Sequence, residues 1–444
     1  MDFIEYKIEI ERARGNPARM EELYRQTEKK DELAFNKAIA ECAKQYPEDL
    51  LLHAWALRIS ETGKGKVISA WSEGDGSAWV KTIVLSSILG AVYVVLAQGK
   101  PPMPFFEDGF SYFALGWAPL LGFSLLVLLA FMRNEWKDEL RHYAIGALVI
   151  AFFTLIAGVR VWGARGDAVN LIALHLPFVV WAVVGVAHMW TMRERSRQVF
   201  CYVAKSLEIC VAAGLFFITG GIFTGLTFGI FSVLGVEIPD SLFQRIAAWG
   251  IGVVPLLAVT SVYALDRNPL DQEKDHGIAS LLTIITRLFL PLVLLVLAVY
   301  VVWFIPTNFW KPFYERDVLV VYNAALIALL ALFAYVSRAQ GASIRFTRWL
   351  HGGLFASVAL TILLNIYALA AVWYRTAEWG MTPNRHAVLG WNVVTLIIFL
   401  FLISSLIRFR KSDWTDNFQA SFAKAMIFPV AWAVWVLLAL PFIT

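Results

Sequence analysis

Eleven runs of about twenty predominantly apolar residues dominate this chain, each long enough for an α-helix to cross ~30 Å of hydrocarbon at 1.5 Å per residue. They fall at approximately 79 to 99, 111 to 132, 142 to 163, 171 to 191, 207 to 236, 246 to 266, 288 to 308, 318 to 338, 350 to 374, 387 to 408 and 425 to 444. Inside lipid every backbone N–H and C=O must be satisfied within the protein, so repeated spans of this length dictate helices. The expected fold is all-α, a polytopic transmembrane bundle of about eleven spans behind a small N-terminal soluble helical domain. A composition of 59% hydrophobic and 14% aromatic residues with a mean hydropathy of +0.63 excludes an ordinary soluble enzyme or binding module.

The charges give the spans a direction. Arg133, Lys137 and Arg141 follow the second run, and Arg193, Arg195, Arg197 and Lys205 follow the fourth. Arg267 and Lys274, then Arg345 and Arg348, then Arg410, Lys411 and Lys424 fall on the same side. The intervening loops are poor in Lys and Arg and carry Glu107, Asp108, Glu237 and Asp240. By the positive-inside rule the N-terminus is cytoplasmic and the C-terminus extracytoplasmic, in the cell inner (plasma) membrane. The opening MDFIEYKIEIERARG is charged throughout, so no cleaved signal peptide is expected. A net charge of +4 borne beside hydrophobic runs points to membrane lipids as partners and to no nucleic acid. Cys42, Cys201 and Cys210 form no CxxC pair, which argues against disulfides and zinc.

Residues 1–66 form a cytosolic helical domain in which residues 2–60 read as short amphipathic helices broken at Pro17 and Pro47, with Gly15 and Asn16 marking a turn. The stretch from Ala34 to Ile59 resembles a tetratricopeptide helix pair, with Ala38 and Cys42 one turn apart and Tyr46-Pro47 at the corner. Such repeats need about three units for a continuous core and fewer than two fit here. A docking or capping module for a cytosolic protein partner is expected instead. Residues 67–78, within a glycine- and charge-rich stretch, form the linker, and 79–444 the membrane domain. Between the sixth and seventh runs, residues 277–287 place Ile278, Leu281, Leu282 and Ile285 on one face ahead of Arg287 and Pro291. That pattern fits an interfacial helix or the start of a long kinked span.

Glycines recur every four residues at Gly221, Gly225 and Gly229 in the fifth run, a stripe suited to close helix packing. Ionisable groups near mid-span are nearly absent. Glu208, His188, Asp266 and Arg160 fall near span ends, from which they are expected to reach the interface by snorkelling. Polar groups in the half opposite the basic loops are His175, Asn323, Asn365 and Asn392. With Arg160, Glu378 and Arg385 they would line an outward-facing vestibule for a substrate, or each amide would bond across one helix pair for about 1 kcal/mol.

The segment RTAEWGMTPNRHAVLGWN, Arg375 to Asn392, reads as a tight hairpin between two aromatic-anchored helix ends. Here the chain resembles the bacterial membrane family catalogued as domain of unknown function 4153, with Gly380, Thr382 and Arg385 matching its Gly-x-Thr-x-x-Arg turn. Thr286 to Ile305 is similar to the same family's pattern of a basic residue, a proline opening a span and later aromatics. The resemblance covers roughly the C-terminal half and brings no established activity.

Glu107-Asp108 in PPMPFFEDGF resembles the acidic pair in the first external loop of lipid-linked glycosyltransferases, but a loop of about ten residues is short for that role. No HExxH, GxSxG or Walker loop appears, the seven histidines lack metal-ligand spacing, and neither a catalytic residue nor a cofactor is implied. Three functions remain open: permeation of a small solute or lipid, a non-catalytic scaffold or sensor working through residues 1–66, and an outer-face transferase using Glu107, Asp108, Glu378 or Arg385.

Overall fold

The computed structural model describes residues 3–27, 32–46, 48–62, 76–98, 112–132, 136–163, 167–236, 238–272, 278–338, 344–409 and 414–443. Among them the secondary structure is helical, without a strand. The chain divides into two units, Met1–Gly76 and Ser77–Thr444.

The first unit holds α1 (Phe3–Arg12), α2 (Pro17–Gln26), α3 (Glu32–Gln45) and α4 (Leu50–Thr62). Gly15, at φ +70°, supplies the left-handed residue that ends the first turn region. Asn16 then caps α2, its side chain accepting from the Arg19 amide at 3.2 Å, and Pro17 occupies the first helical position. Tyr6, Ile10, Met20, Phe35, Ile39, Cys42, Leu52 and Trp55 form a separate apolar core, in which Ala38 and Cys42 both lie. Glu21 accepts from Arg58 at 2.7 Å and from Arg25 at 3.3 Å, and the Arg58 bond foremost holds its carboxyl below the ordinary value. A folded-state pKa lowered in this way adds stability above the unfolded carboxylate range, and that stability disappears as pH falls through the folded value. Amide exchange in residues 3–62 is therefore expected to be level from neutral pH down to about 5, once corrected for intrinsic rates, and to accelerate below about 4. A Glu21→Gln chain should lose part of that acid sensitivity.

Among its described residues the second unit carries eleven helical stretches long and apolar enough to cross a membrane, and the protein is a multi-pass membrane protein. Its helices of more than ten residues are α5 (Gly76–Gln98), α6 (Tyr112–Met132), α7 (Trp136–Gly163), α8 (Asp167–His188), α9 (Arg195–Val233), α10 (Asp240–Val262), α11 (Ile278–Val299), α12 (Arg316–Val336), α13 (Ile344–Trp379), α14 (Pro383–Arg408), α15 (Trp414–Ala425) and α16 (Ile427–Ile443). The last two together make the eleventh stretch. The ends that carry the Lys/Arg-rich loops are called the basic face below.

Two cores organise this unit. One joins α5 to α8 with α10 and α16 around Tyr93, Leu128, Ile150, Ile172, Leu256 and Leu437. The other joins the basic-face end of α9 with α11 to α15 around Phe200, Leu290, Phe333, Leu354, Phe399 and Phe418. The final helix thus returns to the first half, packing on α8 and α14.

Three features differ from what hydropathy alone suggests. First, α9 is 39 residues long, about 58 Å at 1.5 Å per residue, so its first turns extend beyond the hydrocarbon. Second, the 414–425 stretch, flanked by basic residues and expected as loop, is helix α15. Trp414, Phe418 and Phe422 recur every four residues and bury one face, and Gln419 Nε2 donates to the Ser337 carbonyl at 2.9 Å. Third, the described part of the 277–287 segment is the start of α11, so of its two readings the structure shows the long span. That span widens into a π-helical turn at Tyr300–Phe304 directly before Pro306, which has no N–H to return to the Val302 carbonyl.

Candidate functional site: two polar stations on one helix

Two groups of buried polar side chains lie on α12 and its neighbours. At the basic face Glu208 of α9 is 1% exposed. Its Oε2 accepts from Lys205 Nζ at 2.8 Å, one helical turn away. Its Oε1 accepts from the Tyr335 hydroxyl at 2.5 Å and from the Arg338 guanidinium, both from the end of α12. Lys205 is buried as well, and the Arg338 side chain is 12% exposed. Desolvating a carboxylate costs several kcal/mol, which only close, multiply bonded counter-charges offset. Arg338 also sits where the C-terminal carbonyls of α12 favour a cation. The expectation that Glu208 and His188 reach the interface by snorkelling is thereby corrected. Both are buried, and His188 bonds the hydroxyls of Tyr143 at 3.3 Å and Tyr263 at 2.7 Å. Asp266 is exposed and Arg160 half-buried.

The second group lies toward the other end of α12. Asn392 of α14 is 0% exposed, and its Nδ2 donates to Asn323 Oδ1 of α12 and to the Val388 carbonyl, each at 2.8 Å. Asn365 of α13, equally buried, is satisfied with its nitrogen toward the Asn392 carbonyl at 3.2 Å and its oxygen toward the Leu396 amide at 3.1 Å and the Thr395 hydroxyl at 2.8 Å. Three helices are thus joined through three amides. Beside them the Tyr300 hydroxyl of the π-helical turn meets that of Tyr322, and the Tyr367 hydroxyl donates to the Phe309 carbonyl at 2.6 Å.

The other vestibule candidates stand apart from this chain of amides. His175 is tied at both nitrogens, Nδ1 to the Leu171 carbonyl at 2.7 Å and Nε2 to the Trp391 indole N–H at 2.8 Å, so it joins α8 to α14 as a neutral imidazole protonated on Nδ1. Glu378 is exposed, and Arg160 closes α7. Arg385 turns back onto the end of α13, its guanidinium donating to the Trp379 carbonyl at 2.9 Å and to the Gly380 carbonyl.

That contact gives the Gly-x-Thr-x-x-Arg pattern a physical reading. Gly380 takes φ +77°, which stops α13 in the left-handed conformation. Thr382 caps α14, its hydroxyl accepting from the Arg385 amide at 3.3 Å. Arg385 then covers carbonyls that the ended helix leaves open. Replacing Thr382 by alanine is expected to cost about 1 kcal/mol, read as faster amide exchange in the first turn of α14.

The glycine stripe has no neighbour within the described chain: a Cβ at Gly221, Gly225 or Gly229 would meet no atom within 4 Å. The close approaches occur elsewhere. A Cβ on Gly252 of α10 would lie 2.7 Å from the Cα of Gly90 on α5, and one on Gly390 would strike the Trp432 ring. Neither position belongs to a repeated spacing, which is why sequence periodicity passes over them.

Glu107 and Asp108, like Glu237, lie outside the described residues. Among the described residues no three His, Cys, Asp or Glu side chains gather as a metal site would require. No family model, curated protein or solved structure matches the chain.

Proposed function

We propose that the protein is a permease of the plasma membrane that passes a small polar solute through the half-bundle built on α12. With the basic face cytoplasmic and the N-terminus inside, the Glu208 cluster marks the inner mouth and the amides the outer half. One observation carries this reading: two buried polar stations share a single helix. Asn323 and Tyr335 are separated by about 18 Å of helix rise. The intervening layer is apolar and tightly packed, with Leu326, Leu329 and Phe333 against Ile398 and Phe399. Lipid-facing structure has no use for buried amides and ions, which in membranes concentrate on interior paths. The closed layer between them is that of an occluded state.

Shape change in proteoliposomes tests the proposal. Vesicles holding the full chain, exposed to gradients of glycerol, urea, glycine, acetate and choline, should re-swell faster than protein-free vesicles for at least one solute. Re-swelling indistinguishable from protein-free vesicles for all five would overturn it.

A second reading, a scaffold that recruits a cytosolic partner, draws on the independent core of α1 to α4 and on Leu50, 84% exposed at the start of α4. Under that reading deletion of residues 1–62 abolishes partner capture and leaves solute flux unchanged.

A further inference from the structure

The amides of the outer station do not use all of their hydrogen-bonding capacity. A primary amide has two N–H donors and an oxygen that accepts twice. Asn392 spends both N–H groups, on Asn323 Oδ1 and on the Val388 carbonyl. Its own Oδ1 is buried and has no partner among the described residues. Asn323 is the complement: its oxygen is occupied by Asn392, while its Nδ2 makes no bond among the described residues and belongs to a half-buried side chain. One bonded pair therefore leaves one acceptor and one donor without a partner among the described residues. An acceptor buried without a partner costs about 1–3 kcal/mol, and native structures carry few of them unless something else fills the role.

We propose that Asn323 and Asn392 form a binding station for an uncharged group that both donates and accepts a hydrogen bond, a hydroxyl or a primary amide of the permeating solute. This rests on the permease reading and names its substrate class. The group donates to Asn392 Oδ1 and accepts from Asn323 Nδ2. A carboxylate would set oxygen against oxygen at Asn392, and an ammonium would set hydrogen against hydrogen at Asn323. The side chains bonded into the station, Asn323, Asn365, Asn392 and Thr395, are all uncharged, so none neutralises an ion there. In hydrocarbon surroundings an unmatched charge is far more costly than an unmatched amide.

The test is thermal unfolding of the purified full-length protein in detergent, with acetamide or glycerol against sodium acetate and tetramethylammonium chloride at matched osmolality. Wild type is compared with Asn323→Leu and Asn323→Ser, so that general solvent effects cancel in the difference. The expected result is an excess shift of the wild-type melting temperature that saturates with acetamide or glycerol, is lost in both variants, and is not reproduced by either salt. Equal shifts in wild type and variants overturn the station, as does an excess produced by a charged solute. No excess with any solute, the outcome if only a water molecule bridges the two amides, also overturns it. The vesicle measurement is separate: re-swelling without the excess removes the station and keeps the permease, whereas the excess without re-swelling does the reverse.

Discussion

Glu208→Ala is expected to be the most damaging single substitution in the membrane domain, lowering stability by about 3–5 kcal/mol. The carboxylate is the shared partner of Lys205, Tyr335 and Arg338, and its removal takes the counter-charge from a buried Lys205 and a largely buried Arg338. Glu208→Gln keeps an acceptor oxygen for Tyr335 but removes the charge, so it should fall between wild type and alanine. The cost arises from stranding partners and not from the worth of the pair itself. The triple variant Lys205→Met, Glu208→Met, Arg338→Met should therefore recover much of what Glu208→Ala loses. Unfolding midpoints in mixed micelles of rising denaturing-detergent fraction measure all three. An alanine variant with the wild-type midpoint would mean that the ion cluster contributes nothing to holding α9 on α12.

The second large effect is expected at Gly252. Leucine there must place its Cβ 2.7 Å from the Gly90 backbone, against atoms that no rotamer change can move aside. Helices α5 and α10 must separate, which also breaks the 2.9 Å bond between the Thr82 and Thr260 hydroxyls. Overpacking of this kind costs about 1–3 kcal/mol, and more where backbone is the obstacle. Gly225→Leu provides the contrast, because its added side chain meets nothing within 4 Å and a leucine favours helix over glycine by up to about 1 kcal/mol. The two variants should separate clearly in the yield of monodisperse protein after detergent extraction. Equal yields would show that the Gly90–Gly252 contact is not needed for the bundle.

The comparison of these glycines shows what the sequence could and could not convey. A Gly-xxx-Gly-xxx-Gly spacing says that a backbone may approach closely there; it does not say that one does. Gly90 and Gly252 are 162 positions apart, and only the fold brings them together. The same holds for the ion cluster. Lys205 and Glu208 are visible as a pair one turn apart, but Arg338 lies 130 positions away and no local pattern joins it to them. The spans were legible because lipid imposes a length and a composition on each segment separately. The turn at Gly380, Thr382 and Arg385 was legible for a related reason, since its bonds close within six residues. Helix α15 was missed because the flanking Arg410, Lys411 and Lys424 mark a loop in a topology reading, although the Trp414, Phe418, Phe422 stripe carried the helical signal. The amides were legible as polar residues at one depth, and their joining into one chain across α12, α13 and α14 was not.

The break between α15 and α16 lets the last membrane-length stretch serve both apolar cores. Together the two helices form one stretch long and apolar enough to cross, divided into an amphipathic part, α15, and an apolar part, α16. Helix α15 packs on α9 and α14, and α16 on α8 and α14. This stretch of chain therefore ties one core to the other, with Trp414, Phe418 and Phe422 in one and Ala433 and Leu437 in the other, so a change at the break is felt on both sides of α14.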